Sequence, residues 1–371
     1  AYNKQQPHAW FFSFQDVESA RKLLPEHSTL HQSLNGSWKF HWVKSPDLRP
    51  RDFFRTDFDA SAWDDVQVPM NWNVAGVQKD GSLKYGQPLY SNQRVIFKHD
   101  RRVGDWKDGV MRPAPDNWLS AEYPNEVGSY RRTFSIPAGW QDKEVYLNFD
   151  GVDSFFYLYV NGKYVGFSKN SRNLAQFNIT PYLNAKGENL VAVEVYRHSD
   201  GSFLESQDMF RLPGIFRNVS LTAKPKVQVR DLVAIPAYDH AAATGKLAVT
   251  ASLANLSGKK QKGYTIAYSL YENKLYSDEN TRVEGVGAEV AVDELLKDAG
   301  TKASVTIDAG GAVKPWSAER PQRYVLVAEL KDKKGRVVET VSTGVGFRTI
   351  EIKDTPASQD EFGLAGRYYH L

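Results

Sequence analysis

The stretch from Glu144 to Phe167 limits the folds open to this 371-residue chain more than any other. Val145, Leu147 and Phe149 alternate with Glu144, Tyr146 and Asn148, the period-two pattern of a strand with one buried face. Phe156, Leu158 and Val160 then alternate with Phe155, Tyr157 and Tyr159, and Asn161-Gly162 leads into Tyr164, Val165 and Phe167. Asn-Gly between two such runs is the strongest short signal for a hairpin, because both central residues of a type I′ turn need positive φ. A helix brings residues three and four apart onto one face and cannot satisfy a repeat of two. This part of the chain is therefore antiparallel sheet. Leu190 to Tyr196, apolar on both faces, reads as a central strand.

Sheet patterning dominates elsewhere too. Residues 14 to 27, FQDVESARKLLPEH, form the best helical candidate before the first sheet, ended by Pro25. After Leu34-Asn35-Gly36 the pattern turns to strands. The composition shifts near Lys224-Pro225-Lys226, beyond which strands carry fewer aromatics. Leu247, Val249, Ala251 and Leu253 alternate with Ala248, Thr250 and Ser252, and Tyr264, Ile266, Tyr268 and Leu270 alternate with Thr265, Ala267 and Ser269. Further strands are expected around Ala303–Ile307, Tyr324–Leu330 and Val337–Phe347. About seven short strands in roughly 100 residues is the pattern of an immunoglobulin-like sandwich, here without its disulfide. No alternation of strands and helices marks a barrel or a doubly wound sheet. The fold class is all-β, two sandwiches in series, which suits a chain longer than a usual single domain.

Charge and composition exclude several functions. The 47 basic and 44 acidic residues are interspersed and build no phosphate-binding stripe, so nucleic acid is not an expected partner. The absence of cysteine removes disulfides, thiolate zinc sites and cysteine nucleophiles, and leaves the compartment open between cytoplasm and periplasm. No apolar run reaches membrane-spanning length, and the opening AYNKQQPHAW has no signal-peptide core, so an export signal would lie upstream. The 8 histidines are scattered singly, without a metal-ligand spacing. Gly285-Val286-Gly287 lacks the third glycine of a phosphate loop, and the serines lack a nucleophile-elbow setting. A catalytic carboxylate pair must sit about 5 to 9.5 Å apart across a cleft, a proximity no spacing in the sequence defines.

Two segments stand out chemically. Ser199 to Asn218, SDGSFLESQDMFRLPGIFRN, mixes Asp200, Glu205, Asp208, Arg211 and Arg217 with phenylalanines in no regular period. Such a segment reads as a shaped loop on a rigid scaffold. Within it, Asp208 has two readings: a ligand for a cation or a sugar hydroxyl, or a salt-bridge partner of Arg211 or Arg217. The second segment, Gln87-Pro88-Leu89-Tyr90-Ser91-Asn92, lies in a loop-rich region from Val68 to Tyr130 that carries Trp72, Trp106 and Trp118. By residue type Asn92 reads first as a turn cap, and it also offers a donor and an acceptor suited to a sugar hydroxyl.

At these residues the chain resembles the amino-terminal part of family 2 glycoside hydrolases, specifically the bacterial lac-type β-galactosidases. The matching segments are Leu34–Phe40, Val68–Trp72, Pro88–Asn92, Phe149–Ser154, Asn161–Gly166 and Ser199–Val219, in the family's order. The last is the most specific, with Asp-Gly-Ser, Gln-Asp-Met and Gly-Ile-Phe-Arg in fixed spacing. Gln207-Asp208-Met209 points to the galactosidase branch rather than to glucuronidases or mannosidases.

The resemblance implies a jelly-roll sugar-binding domain over residues 1–224 and an immunoglobulin-like domain over 225–349. Residues 350–371 are then a linker into a (β/α)8 catalytic barrel. In this family the catalytic glutamates and magnesium ligands belong to that barrel, so the residues in hand are expected to be catalytically silent by themselves. Asn92 matches an asparagine that reaches into the galactose pocket. Asp208 matches an aspartate that contacts the galactosyl group and ligates sodium. Sodium and magnesium are thus implied for the full-length enzyme, with a β-galactoside or oligosaccharide as substrate and the chain's own barrel as partner. Assembly into a homo-oligomer is left open. The stretch Phe97 to Trp118 is longer than the family pattern and bears on the aglycone side of the cleft, which leaves linkage preference open. The competing reading is a free-standing carbohydrate-binding or adhesion module of two sandwiches.

Overall fold

A computed structural model describes residues 1–91, 125–184, 186–205, 208–274, 280–356, 358 and 366–370. The protein forms two compact units, Ala1–Gln6 with Gln32–Thr222 and Pro7–His31 with Ala223–Leu371.

The first unit contains a six-stranded sheet in the order Lys163–Ser168, Phe155–Val160, Asn189–Tyr196, Val127–Phe134, Gly36–Val43, Asp64–Val68. The hairpin expected at Asn161-Gly162 is present, with φ of 50° and 76° at its two turn residues. Asn189–Tyr196 is a central strand, paired on both sides, and most of its residues are buried. A second sheet runs Ala175–Asn178, Glu144–Phe149, Val219–Lys224, His31–Ser33. Phe156 of the six-stranded sheet meets Phe149 and Phe177 of the second sheet at ring distances of 4.9 and 6.0 Å. The two sheets therefore pack face to face around an aromatic core, and full burial of each such ring contributes about 1.5–3 kcal/mol. Phe40, Trp72 and Tyr130 extend that core, and Gly128 makes room for them: a Cβ there would lie 2.7 Å from Phe40 and Trp72. The Val127–Phe134 strand comes from the far end of the region that reads as loop-rich in the sequence.

The second unit pairs a five-stranded sheet with a three-stranded one. The five are Ser13–Phe14, Val337–Val345, Arg323–Lys331, Thr265–Asn273 and Arg282–Ala291; the three are Val227–Asp239, Thr244–Asn255 and Gly300–Gly310. Between them lie Val229, Leu247, Val249, Leu253, Ile266, Leu270, Leu326 and Leu330, the inward-facing set of the alternating runs. Glu351–Thr355 and Gly366–His370 form a separate two-stranded hairpin within the stretch that reads as a linker.

Residues 14–27 do not form one helix. They give a single helical turn, Val17–Ala20, capped by Asp16, whose carboxylate accepts from the Ser19 amide at 2.7 Å, and a 3₁₀ turn at Pro25–His27. Leu23 adopts φ of 62°, which ends the helical path before Pro25 is reached. Ser13 and Phe14 instead pair with Val341 and Thr340, and Phe14 and Ala20 pack with Tyr271, Val325 and Val327. Tertiary pairing outweighs the modest helix propensity of one short segment. A buried ion pair, Lys224 to Glu339 at 3.3 Å, lies beside this segment. Glu339 also accepts from Ser13 Oγ at 2.5 Å and from the Val229 amide at 2.6 Å. Among the described residues no helix is long and apolar enough to cross a membrane.

Candidate functional site

Within the segment from Ser199 to Asn218 the described residues carry more regular structure than the sequence suggests. Ser199 caps a helix at Asp200–Leu204 by accepting from the Gly201 amide, while Ser202 Oγ accepts from the Ser199 amide in return. Ser202 Oγ also donates to Ser154 Oγ at 2.9 Å, fixing the helix to the sandwich. Beyond it, Met209–Arg211 pairs with Leu89–Ser91 as a two-stranded ribbon. Pro213 and Ile215 accept from the amides of Trp72 and Met70 at 3.0 and 2.9 Å. Gly214 lies between them at φ of 126°, and a Cβ there would sit 3.0 Å from the Met70 carbonyl.

This ribbon brings the two chemically distinctive segments together. Asp208 is exposed, and its Oδ1 accepts from the Tyr90 hydroxyl at 2.6 Å, a contact between residues 118 apart in sequence. The same hydrogen bond raises the Tyr90 phenol above its ordinary pKa. Among the described residues Asp208 makes no ion pair with Arg211 or Arg217. Arg211 points its Nη1 to the Glu205 carbonyl. Phe210 stands opposite Tyr90, with ring centroids 5.1 Å apart, and both are more than half exposed at 60% and 51%. An exposed carboxylate can accept a hydroxyl hydrogen, and the two exposed rings beside it can lie against the C–H face of a ring-shaped polyol. Ser91 is paired with Met209, the residue after Asp208. Asn92 directly follows Ser91 but lies outside the described residues, as does the 97–118 stretch.

Beside the charged residues of the 199–218 segment lie two buried groups that the sequence did not single out, Asp153 and His198. Burial pushes the Asp153 carboxyl up to about 6; Arg172, 3.3 Å away, opposes the rise, and Glu205 adds to it. Burial, reinforced by the charges of Arg197 and Arg211, drives the His198 imidazole down to about 3, so the ring is neutral at pH 7. The Asn125 side chain brackets the His198 backbone, accepting from its amide at 2.8 Å and donating to its carbonyl at 3.1 Å. Glu205 accepts from the Ser171 amide at 3.1 Å and from the Ser171 hydroxyl. These contacts fix the base of the loop. Among the described residues no group of three or more acidic or histidine side chains is arranged to hold a metal.

Comparison with known proteins agrees with both units. The model of "Glycosyl hydrolases family 2, sugar binding domain" matches residues 31–225, and that of "Glycosyl hydrolases family 2" matches residues 227–348. A beta-galactosidase of Priestia megaterium is 37% identical over 352 residues, which are 95% of this chain and 31% of the relative. A beta-galactosidase large subunit of Leuconostoc lactis is 31% identical over 87% of this chain and 47% of the relative. The chain thus spans about a third to a half of the relatives it matches. Among solved structures, Bacteroides uniformis beta-glucuronidase 2 superposes with a TM-score of 0.63 at 19% identity, covering 91% of this chain and 34% of that one. At that identity the likeness concerns the fold alone.

Proposed function

Because the chain belongs to glycosyl hydrolase family 2, we propose that it is the non-catalytic amino-terminal part of a retaining β-galactosidase acting on terminal β-D-galactosyl residues. In this reading it supplies one wall of the sugar pocket and supports a catalytic barrel carried by the full-length protein. The observation that carries the reading is the pairing of 89–91 with 209–211, which holds Asp208 against Tyr90 next to the chain position of Asn92. Asp208 would accept the hydrogen of a galactosyl hydroxyl, and Asn92 would contribute a second polar contact. The identity to beta-galactosidases over nearly the whole chain supports the choice of sugar.

Sodium and magnesium belong to the same proposal. A hard cation prefers oxygen ligands, and Asp208 offers one: Oδ1 is engaged by Tyr90, and Oδ2 accepts no hydrogen bond among the described residues. Asp208 therefore fits as one sodium ligand, with the remaining oxygens supplied by other groups of the full-length protein. When bound, the ion would polarise a sugar hydroxyl that Asp208 also orients. The described residues provide no comparable set for magnesium, which is assigned to the barrel.

Hydrolysis of a chromogenic β-galactoside tests the reading. The purified 371-residue chain should show no turnover above a heat-killed control, while the full-length protein should be active. In the full-length protein Asp208→Ala should lower kcat/KM by orders of magnitude and abolish sodium activation, with the melting temperature unchanged. Retained sodium activation together with a fall in melting temperature would return Asp208 to a structural role.

A further inference from the structure

We propose that the buried Arg197–Glu126 pair is the positioning device for the sugar-contacting ribbon, an inference that rests on the reading of Asp208 above. Arg197 donates from Nη1 to Glu126 Oε1 at 2.9 Å. Its Nη2 faces two carbonyls, those of Gln87 at 2.9 Å and Arg211 at 3.4 Å. Gln87 lies two residues before the 89–91 strand, and Arg211 ends the 209–211 strand opposite Leu89. One planar group thus ties together both strands of the ribbon at the end away from Asp208 and Ser91. A guanidinium suits this task because its donors diverge in a rigid fork, which an ammonium lacks.

Glu126 holds the guanidinium in turn. Its carbonyl accepts from the Arg197 amide at 2.9 Å, so backbone and side chain bind the same residue. Its carboxylate fills the space beside Gly86, where any Cβ would collide with it. Burial raises the Glu126 pKa, and the Arg197 charge opposes that rise, as do the indoles of Trp42 and Trp72, which reach toward the carboxylate outside ordinary hydrogen-bond geometry.

Stability alone is a poor account of this pair. Glu126 and Arg197 are 5% and 7% exposed, and desolvating two charges cancels most of their attraction. Apolar residues would fill the same volume at no loss, but they could not hold the Arg211 carbonyl and the Gln87 carbonyl just before the facing strand at fixed directions. Asp208 lies three residues before Arg211, roughly 10 Å along an extended strand, so a small rotation at the clamp becomes a displacement at the carboxylate. A misplacement of about 1 Å in a binding wall costs up to ~10²-fold in turnover efficiency.

The test uses the full-length protein and a thiogalactoside that is not hydrolysed, with binding followed by calorimetry and KM and kcat measured beside it. Arg197→Lys should weaken thiogalactoside binding and raise KM by about tenfold, less than the loss from a full 1 Å misplacement, with the melting temperature little changed. A merely structural role would lower the active fraction, and so the apparent kcat, while leaving Kd and KM of the folded molecules untouched. In an Asp208→Asn background, Arg197→Lys should add no further loss, because it acts through Asp208. Additive losses in the double variant overturn the proposal. Weakened binding in Asp208→Asn beside wild-type binding in both Arg197→Lys and Glu126→Gln refutes the positioning role alone. Wild-type binding in Asp208→Asn refutes the reading of Asp208 and this inference with it. If Arg197→Lys yields no folded protein, Glu126→Gln, which keeps the guanidinium, carries the test. Failure of both to fold assigns the pair to stability and overturns the proposal.

Discussion

Asp153 and His198 should make the pH dependence of the first unit's stability a contest between two buried groups of opposite sign. His198 has a folded pKa of about 3 against 6.5 in the unfolded chain, so below pH 6.5 the unfolded state binds the extra proton. Its contribution is fully present above 6.5 and is lost as the pH falls, about 2 kcal/mol between pH 7 and pH 5 by linkage. Asp153 has a folded pKa of about 6 against 3.8, so between those values the folded state binds the extra proton. Acidification from pH 7 to pH 5 therefore returns about 1 kcal/mol of the cost of burying its charge. The two effects largely offset each other in the natural chain. Asp153→Asn removes the compensating group. Its stability should fall between pH 7 and pH 5 by about 1 kcal/mol more than that of the unsubstituted chain, while at pH 7 it is at least as stable. His198→Asn should show the reverse, becoming more stable on acidification relative to the unsubstituted chain. Urea titrations followed by tryptophan fluorescence at the two pH values read both differences, and all other titrating groups cancel in the comparison. Parallel pH profiles for the three proteins would refute the argument that burial sets these two protonation states.

Three further outcomes follow from the packing. Glu339→Ala leaves Lys224 buried without its counter-charge and should destabilise the second unit by about 3–5 kcal/mol, whereas Glu339→Leu combined with Lys224→Met should recover most of it; thermal melts of the three proteins decide. Gly214→Ala forces a side chain into φ of 126° against the Met70 carbonyl and should cost roughly 1–3 kcal/mol, seen as a lower urea midpoint with an unchanged slope. The 371-residue chain should bind galactose no more tightly than about millimolar, since one wall with Tyr90, Asp208 and Phe210 buries little of a sugar. Micromolar affinity by calorimetry would instead support a free-standing carbohydrate-binding module.

The strands and the two-sandwich class are legible in the sequence because they rest on local periodicity. The turn at Asn161-Gly162 is written in its dipeptide and the structure forms it, while the central strand at 190–196 and the runs around 247–253 and 266–270 name apolar residues that must be buried, and the structure buries all of them but Tyr196, which is half-buried. Asp208 was visible as a polar residue in a segment without period, and Asn92 as its companion in the other distinctive segment, though Asn92 lies outside the described residues. Partners, in contrast, were decided only by the tertiary structure. Periodicity could not choose Tyr90 for Asp208, since the two are 118 residues apart, nor direct Arg197 at the carbonyls of Gln87 and Arg211. For the same reason Phe14, the first residue of the helical candidate, joins Ser13 in pairing with the strand at 340–341. A segment's pattern fixes the face it must hide, while the surface that hides it depends on register and on directional hydrogen bonds across long loops, which no window of neighbouring residues contains.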